Sequence, residues 1–207
     1  MKQQIGVLVS GGGSNLQALI DAGERGAIPA GIGVVISNKP GVYALERAAR
    51  HGIPTRVVNH RDYDSVTEFT RAILAVLQEF NIGLVCLAGF LRILDPVFFE
   101  TFTDRVLNIH PSLLPAFGGK GMYGHHVHEA VLQSGTKYSG ATVHIVTAEP
   151  DVGPIVAQGI VEVTDADTAD TLAARVLQME HRIYPEAVAL MLNGGMQIDG
   201  LRVKRKP

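Results

Sequence analysis

The sequence predicts an α/β fold in which a Rossmann-like, doubly wound and mostly parallel sheet carries helices on both faces. Short apolar runs alternate with longer amphipathic runs from residue 5 to residue 88, which is the pattern of repeated strand–helix–strand units. The run at residues 82–88 is apolar throughout, as expected for a parallel strand that is covered on both faces. A glycine-rich turn follows the first apolar run, at the position where open α/β sheets bind ligands.

Run length and periodicity predict the elements of the first half in chain order. Short apolar strands are predicted at residues 5–9, 32–37, 55–58 and 82–88. Helices are predicted between them at residues 15–25, 42–51 and 65–80. The third helix is supported by the 3.6-residue period of Phe69, Ile73, Val76 and Leu77.

The alternation changes after residue 105. A strand at residues 106–109 leads into a loop at residues 111–124, whose glycines suit either a lid or a surface loop. We expect a short helix next, at residues 127–133, followed by two strands at residues 141–146 and 155–163 around a polar turn. A long helix at about residues 168–192 and a hairpin near Asp199 and Gly200 complete the prediction. Because no linker or repeat interrupts the chain, we predict a single domain over residues 1–207, with halves of about 1–105 and 106–207.

Composition limits the classes of partner. The chain has 207 residues, 46% hydrophobic residues and a formal net charge of -2, so it lacks the basic field that attracts nucleic acid. No apolar run reaches the length of a membrane span, and no signal-peptide pattern opens the chain. The single cysteine, Cys86, fits a buried residue in a reducing compartment. These features predict a soluble cytoplasmic protein with no nucleic-acid or membrane partner, and we expect a monomer or homodimer.

Residues 108–115 read N-I-H-P-S-L-L-P and end an apolar run. Asn108 and His110 are two residues apart, so on an extended strand their side chains point to the same face. A carboxamide and an imidazole could together donate two hydrogen bonds to an oxygen that gains negative charge, as in acyl transfer without a Ser or Cys nucleophile. The alternative is a strand end with a capping Asn and a surface His.

The turn S-G-G-G-S-N at residues 10–15 joins the first strand to the first helix. Glycines let the backbone approach a ligand closely, and the N-terminus of a helix attracts an anion. The dinucleotide fingerprint G-x-G-x-x-G is absent, and no G-K-[ST] triphosphate loop is present. The turn therefore favours a site for a single phosphate, and the alternative is a structural turn with Ser14 as the N-cap.

Asp151 lies in the turn E-P-D-V-G-P at residues 149–154, which would hold a carboxylate rigidly between two strands. Placed near His110, this carboxylate would favour the charged imidazolium, and the alternative is an ordinary turn Asp. A histidine cluster follows the glycine-containing loop but lacks the spacing of metal ligands, so no metal site is predicted at His125, His126 and His128.

In this order and spacing, the motifs resemble those of the phosphoribosylglycinamide formyltransferase family, folate-dependent enzymes of de novo purine synthesis. The resemblance covers residues 4–203 and rests on several dispersed segments. Two of these segments are residues 10–15 and 108–115. The others are L-A-G-F-L-R-I-L at residues 87–94, G-A-T-V-H-I-V at 140–146, D-V-G-P-I at 151–155, and E-H-x-I-Y-P at 180–185.

The resemblance implies the formyltransferase fold, no metal, and transfer of the formyl group from 10-formyltetrahydrofolate to the amine of glycinamide ribonucleotide. The catalytic residues of the family match Asn108, His110 and Asp151. The residues that bind the phosphate of the ribonucleotide match Gly13, Ser14 and Asn15, and a further ribonucleotide contact matches Glu180. The folate-binding residues match Leu91, Arg92, Ile93, Leu94 and Asn108.

One position departs from the family, and three related functions are alternatives. A family Arg linked to the folate glutamate tail aligns with Val66, and Arg61 could substitute for it. A 10-formyltetrahydrofolate hydrolase shares the Asn, His and Asp but needs no ribose-phosphate site. A methionyl-tRNA formyltransferase would carry a basic RNA-binding domain, for which this chain is too short and too neutral. A non-catalytic folate- or nucleotide-binding module would use the same fold without turnover.

Overall fold

Parallel strands joined by helical crossovers organise the first part of the chain. The computed structural model describes residues 4–206, and the chain forms two compact units that divide after Asn108. The first unit contains, in chain order, β1 (Gln4–Val9), α1 (Ser14–Glu24), β2 (Ile32–Ser37), α2 (Tyr43–Arg50), β3 (Thr55–Val57), a 3-10 turn (His60–Asp62), α3 (Val66–Glu79), β4 (Ile82–Leu87) and α4 (Pro96–Thr101). Strand β5 (Val106–His110) begins in this unit.

The strands of the first unit lie in the order β3-β2-β1-β4-β5, and every pair is parallel. The inner strands β1, β2 and β4 are buried at successive positions, which requires cover on both faces of the sheet. The register aligns Leu8 with Leu87, and Leu87 with Asn108. The carboxyl ends of β1, β4 and β5 therefore meet at one edge of the sheet.

The second unit combines antiparallel and parallel strand pairs. Its elements are α5 (His125–Ser134), β6 (Tyr138–Ile145), β7 (Ile155–Glu162), α6 (Ala169–Leu192), β8 (Met196–Asp199) and β9 (Arg202–Arg205). Within this unit the strand order is β6-β7-β9-β8, with β6–β7 and β8–β9 antiparallel and β7–β9 parallel. Helix α6 begins at a capping box in which the side chains of Thr168 and Thr171 bond reciprocally to each other's backbone N–H groups.

The α/β fold class predicted from the sequence is confirmed, as are the hairpin near residue 200 and the buried Cys86. Two short elements were not predicted, the 3-10 turn and α4. Helix α4 has only six residues, and its signals are Asp95 as N-cap and Pro96 at the first position. Helix α5 begins at His125 rather than at residue 127, because its start is set by the backbone turn at Gly124 and not by the first apolar residue. A single domain over the whole chain stays a prediction.

Within residues 4–206, no helix is both long enough and apolar enough to cross a bilayer.

Candidate active site

The glycine turn after β1 has a backbone conformation that requires glycine at one position. Gly13 has φ 72° and ψ 35° and is the N-cap of α1. A Cβ atom at Gly13 would lie 2.6 Å from Cβ and 2.9 Å from Cα of Ala44. Ser14 is the first residue of the helix, so the alternative in which Ser14 serves as the N-cap is wrong. The turn therefore presents the first N–H groups of the helix at the edge of the sheet.

A cavity of about 290 Å³ opens above this turn, entirely within the first unit. It is lined by Gly11, Gly12, Gly13, Ser14, Asn15, Tyr43, Arg47, Ala88 and Gly89. All three residues that the resemblance assigned to phosphate binding therefore lie in one cavity. Its lining combines backbone amides, a helix N-terminus and one guanidinium, which together suit an anion.

Arg47 is a feature of this cavity that was not predicted from the sequence. Its Nε donates to the Gly12 carbonyl at 2.9 Å and its Nη1 donates to Gln17 Oε1 at 3.2 Å. Its guanidinium also lies 4.6 Å from the centroid of the Tyr43 ring. Among the described residues, no carboxylate forms an ion pair with Arg47. Its positive charge therefore lies at the cavity with no neutralising carboxylate in the part of the chain that the structure describes.

Residues 91–94 follow β4 as an irregular segment that leaves Leu91, Arg92 and Ile93 exposed and Leu94 buried. The Leu91 N–H donates to Ser10 Oγ at 2.9 Å, and the Ser10 hydroxyl donates to Asn38 Oδ1 at 2.5 Å. Ser10 and Asn38 are both buried. The segment assigned to folate is thus tied through Ser10 to the end of β1, where the glycine turn begins.

Val66 and Arg61, the two positions considered for the folate tail, are both exposed. Val66 is the first residue of α3, and Arg61 lies in the 3-10 turn.

Strand β5 carries Asn108 and His110 two residues apart, and Asn108 is half-buried beside Leu87 of β4. Leu87 directly precedes Ala88, which lines the cavity at the glycine turn. Asn108 therefore lies on β5, the strand next to the one whose end leads into the wall of that cavity. Both side chains of the pair project from the same face of β5.

His110, Asp151 and His144 form a cluster in the second unit, in which both imidazoles are buried and the carboxylate is 15% exposed. His110 Nδ1 lies 3.7 Å from Asp151 Oδ2, and His144 Nε2 lies 3.6 Å from Asp151 Oδ1. Burial lowers the pKa of His144, while the Asp151 charge and a bond to the Ile145 carbonyl act in the opposite direction. Asp151 itself adopts the left-handed conformation at φ 59°, which Asp tolerates better than most residues.

Residues 117–119 of the loop after β5 contact this cluster. The Gly119 N–H donates to Asp151 Oδ2 at 2.9 Å, and His110 Nε2 donates to the Phe117 carbonyl at 2.8 Å. A Cβ atom at Gly118 would lie 2.5 Å from Leu114 Cδ2 and 3.2 Å from Asp151 Cβ, so a side chain there would push against Asp151. These loop contacts were not predicted from the sequence, because they join residues that are not neighbours in the chain.

Ser112 lies beside this cluster but is not available as a nucleophile, because its hydroxyl donates to the Ala116 carbonyl at 2.6 Å. Glu180 lies buried in the middle of α6.

The exposed histidines of α5 pair with carboxylates: His125 lies 2.9 Å from Asp170 and 3.2 Å from Glu129. In residues 4–206, no group of three or more His, Cys, Asp or Glu side chains could hold a metal ion.

Comparison with known proteins identifies the family of the chain. The formyl transferase family model matches residues 3–188. The "Trifunctional purine biosynthetic protein adenosine-3" of Homo sapiens is 47% identical over 197 residues, which are 95% of this chain and 19% of that protein. The chloroplastic phosphoribosylglycinamide formyltransferase of Arabidopsis thaliana is 40% identical over 188 residues, which are 90% of this chain and 64% of that protein. The chain thus spans less than a fifth of the human relative and just under two thirds of the plant one.

A solved structure extends the likeness to the fold. The crystal structure of glycinamide ribonucleotide transformylase 1 from Symbiobacterium toebii matches with a TM-score of 0.95 and 44% identity, over 99% of this chain and 94% of that one. The family match covers most of the chain, and the match to this structure covers nearly all of both chains. The chain belongs to the formyl transferase family.

Proposed function

We propose that this protein transfers the formyl group of 10-formyltetrahydrofolate to the amine of glycinamide ribonucleotide, a step of purine biosynthesis. The observation that carries the proposal is the anion cavity at Gly13, Ser14, Asn15 and Arg47, at the same sheet edge as Asn108. A ribonucleotide phosphate fits this cavity, whereas a hydrolase that uses water needs no such site. The solved structure that is 44% identical carries the matching name.

The reaction we propose is a direct attack of the amine on the formyl carbon. A new C–N bond forms to the ribonucleotide, and a tetrahedral oxyanion develops on the formyl oxygen. Asn108 and protonated His110 each donate a hydrogen bond to this oxygen, and the Asp151 carboxylate stabilises the imidazolium. The bond to the folate nitrogen then breaks, and a proton from the amine reaches that nitrogen through water beside His110 and Asp151.

Substrate positions follow from the same residues. The phosphate binds at the glycine turn, Glu180 contacts the ribonucleotide, and residues 91–94 together with Asn108 bind the folate. Holding both substrates in register supplies much of the remaining acceleration.

We also propose a cytoplasmic monomer or homodimer without nucleic-acid or membrane partners, in keeping with the net charge of -2 and the single buried cysteine.

A spectrophotometric assay of folate deformylation, with and without glycinamide ribonucleotide, tests the proposed function. We expect turnover only when the ribonucleotide is present. Equal turnover without the ribonucleotide would replace the transferase with a hydrolase. Saturable binding of both ligands to a folded protein, with no turnover, would support a non-catalytic binding module instead.

Ser10→Ala tests the link between the folate segment and the end of β1. The change leaves the Leu91 N–H without its acceptor and loosens a buried contact to Asn38. We expect the KM for 10-formyltetrahydrofolate to rise roughly 3- to 10-fold, with the KM for the ribonucleotide nearly unchanged. Ser65→Ala is the control, since it removes the cap of α3 and should cost about 1 kcal/mol of stability without affecting either KM. An unchanged folate KM in Ser10→Ala would show that Leu91 needs no such support.

A further inference from the structure

The two ring nitrogens of His110 have different partners. Nε2 lies 2.8 Å from the Phe117 carbonyl oxygen, and since a carbonyl can only accept, Nε2 carries the proton. Nδ1 lies 3.7 Å from Asp151 Oδ2, which is too long for a direct hydrogen bond. Nδ1 is therefore the nitrogen that can bond to a third group, such as a substrate oxygen or a water molecule, while it stays in the field of the carboxylate.

The Phe117 carbonyl depends on a backbone conformation that needs support. Phe117 has φ 54°, in the left-handed region that bulky side chains rarely adopt. The peptide before it is held by Ser112, whose hydroxyl donates to the Ala116 carbonyl at 2.6 Å and lies 3.4 Å from the Phe117 carbonyl oxygen. Ser112 is completely buried, so water does not replace this contact.

Ser112 is fixed in turn by a cross-strand pair of β6 and β7. Thr142 and Gln158 stand opposite each other in the register of these strands. The Thr142 hydroxyl donates to the Ser112 carbonyl at 2.6 Å and accepts from the Leu114 N–H at 3.0 Å. Gln158 Nε2 donates to the Leu114 carbonyl at 2.9 Å and to Thr142 Oγ1 at 3.1 Å. A chain of hydrogen bonds thus runs from the strands through Ser112 to the peptide that holds His110, and its two bonds at the Thr142 hydroxyl to Ser112 and Leu114 are buried.

We propose that Ser112 is a positioning residue for His110: it holds the Ala116–Phe117 peptide so that Nε2 stays protonated and Nδ1 faces the reacting oxygen. The inference rests on the proposed formyl transfer for its catalytic consequence, but the state of the imidazole can be measured without turnover. Nothing in this role requires Ser112 to touch either substrate, so its loss should affect kcat and leave both KM values intact.

Ser112→Ala is the first test. We expect kcat to fall about 10-fold, the usual effect of one lost hydrogen bond, with both KM values within about two-fold of the wild type. Ser134→Ala is the matched control, because its hydroxyl also donates to a backbone carbonyl and accepts from a backbone N–H of the same unit. The control should retain the kcat of the wild type.

Nitrogen NMR of ¹⁵N-histidine-labelled protein over a pH series supplies a readout that a purely structural role would not change. In the wild type, the neutral His110 ring should be the tautomer with hydrogen on Nε2 alone. In Ser112→Ala, the neutral ring should become a mixture of both tautomers. A fall in kcat without a change of tautomer would overturn the positioning role, and so would an unchanged kcat.

Variants of Thr142 repeat the test at a second place in the chain of hydrogen bonds. Thr142→Val removes the hydroxyl at constant shape and should shift the tautomer and lower kcat as Ser112→Ala does. Thr142→Ser keeps the hydroxyl and should resemble the wild type, whereas equal behaviour of the two Thr142 variants would contradict the proposal.

If the tautomer changes as expected but the wild-type protein does not transfer formyl groups, the positioning of His110 stands and the proposed function fails.

Discussion

Asp151→Asn is expected to lower kcat by roughly 10²- to 10³-fold while the protein stays folded. Asparagine matches aspartate in shape and tolerates the left-handed conformation found at φ 59°. What it removes is the negative charge 3.7 Å from His110 Nδ1. In the proposed mechanism, His110 then lacks the negative charge that stabilises its imidazolium, so one donor to the oxyanion is weakened.

Steady-state kinetics over a pH series measure this effect. The rate should fall across the whole pH series, because the carboxylate beside His110 Nδ1 is gone. Asp165→Asn is the control, since Asp165 is a surface carboxylate 3.4 Å from Lys137. Normal turnover and an unchanged profile in Asp151→Asn would show that the carboxylate has no part in the reaction.

Gly13→Ala is expected to raise the KM for the ribonucleotide about 10- to 100-fold, since the proposed phosphate contacts depend on this turn. The new Cβ would lie 2.6 Å from Cβ of Ala44, and the residue would have to keep φ 72°. The turn must therefore shift, and its N–H groups no longer converge on the phosphate. We also expect a loss of about 1–3 kcal/mol of stability from crowding.

Gly12→Ala is the matched control for this prediction. Gly12 lines the same cavity, but a Cβ there would have no atom within 4 Å and its φ is not in the left-handed region. Its effect on stability should therefore be small. Substrate kinetics and protection against unfolding by inorganic phosphate distinguish the two variants. A Gly13→Ala protein with an unchanged ribonucleotide KM would exclude the turn as the phosphate site.

The sequence was most informative where local patterns decide the structure. The apolar runs that became β1, β2 and β4 are short, branched and buried on both faces, so length and composition were enough to predict them. The two-residue spacing of Asn108 and His110 likewise predicted a shared face of β5, because side chains alternate along any strand.

Contacts over long separations were beyond such reasoning. Arg47 meets Gly12 across 35 positions, and Asp151 meets Gly119 across 32. The bonds from Thr142 to Ser112 depend on how the loop packs on β6 and β7, which no local pattern specifies. The family resemblance pointed to Asp151 as a partner of His110, but the loop that holds both residues became evident only from the three-dimensional arrangement.

The central claim, direct transfer of the formyl group, is tested by following the atoms of that group. The reaction would be run with 10-formyltetrahydrofolate labelled with ¹³C in the formyl group, in ¹⁸O-labelled water, with glycinamide ribonucleotide present, and the products analysed by mass spectrometry. We predict that the ¹³C label appears in the ribonucleotide product without ¹⁸O, in proportion to the folate released. Labelled formate containing ¹⁸O, formed at the same rate without the ribonucleotide, would contradict the account.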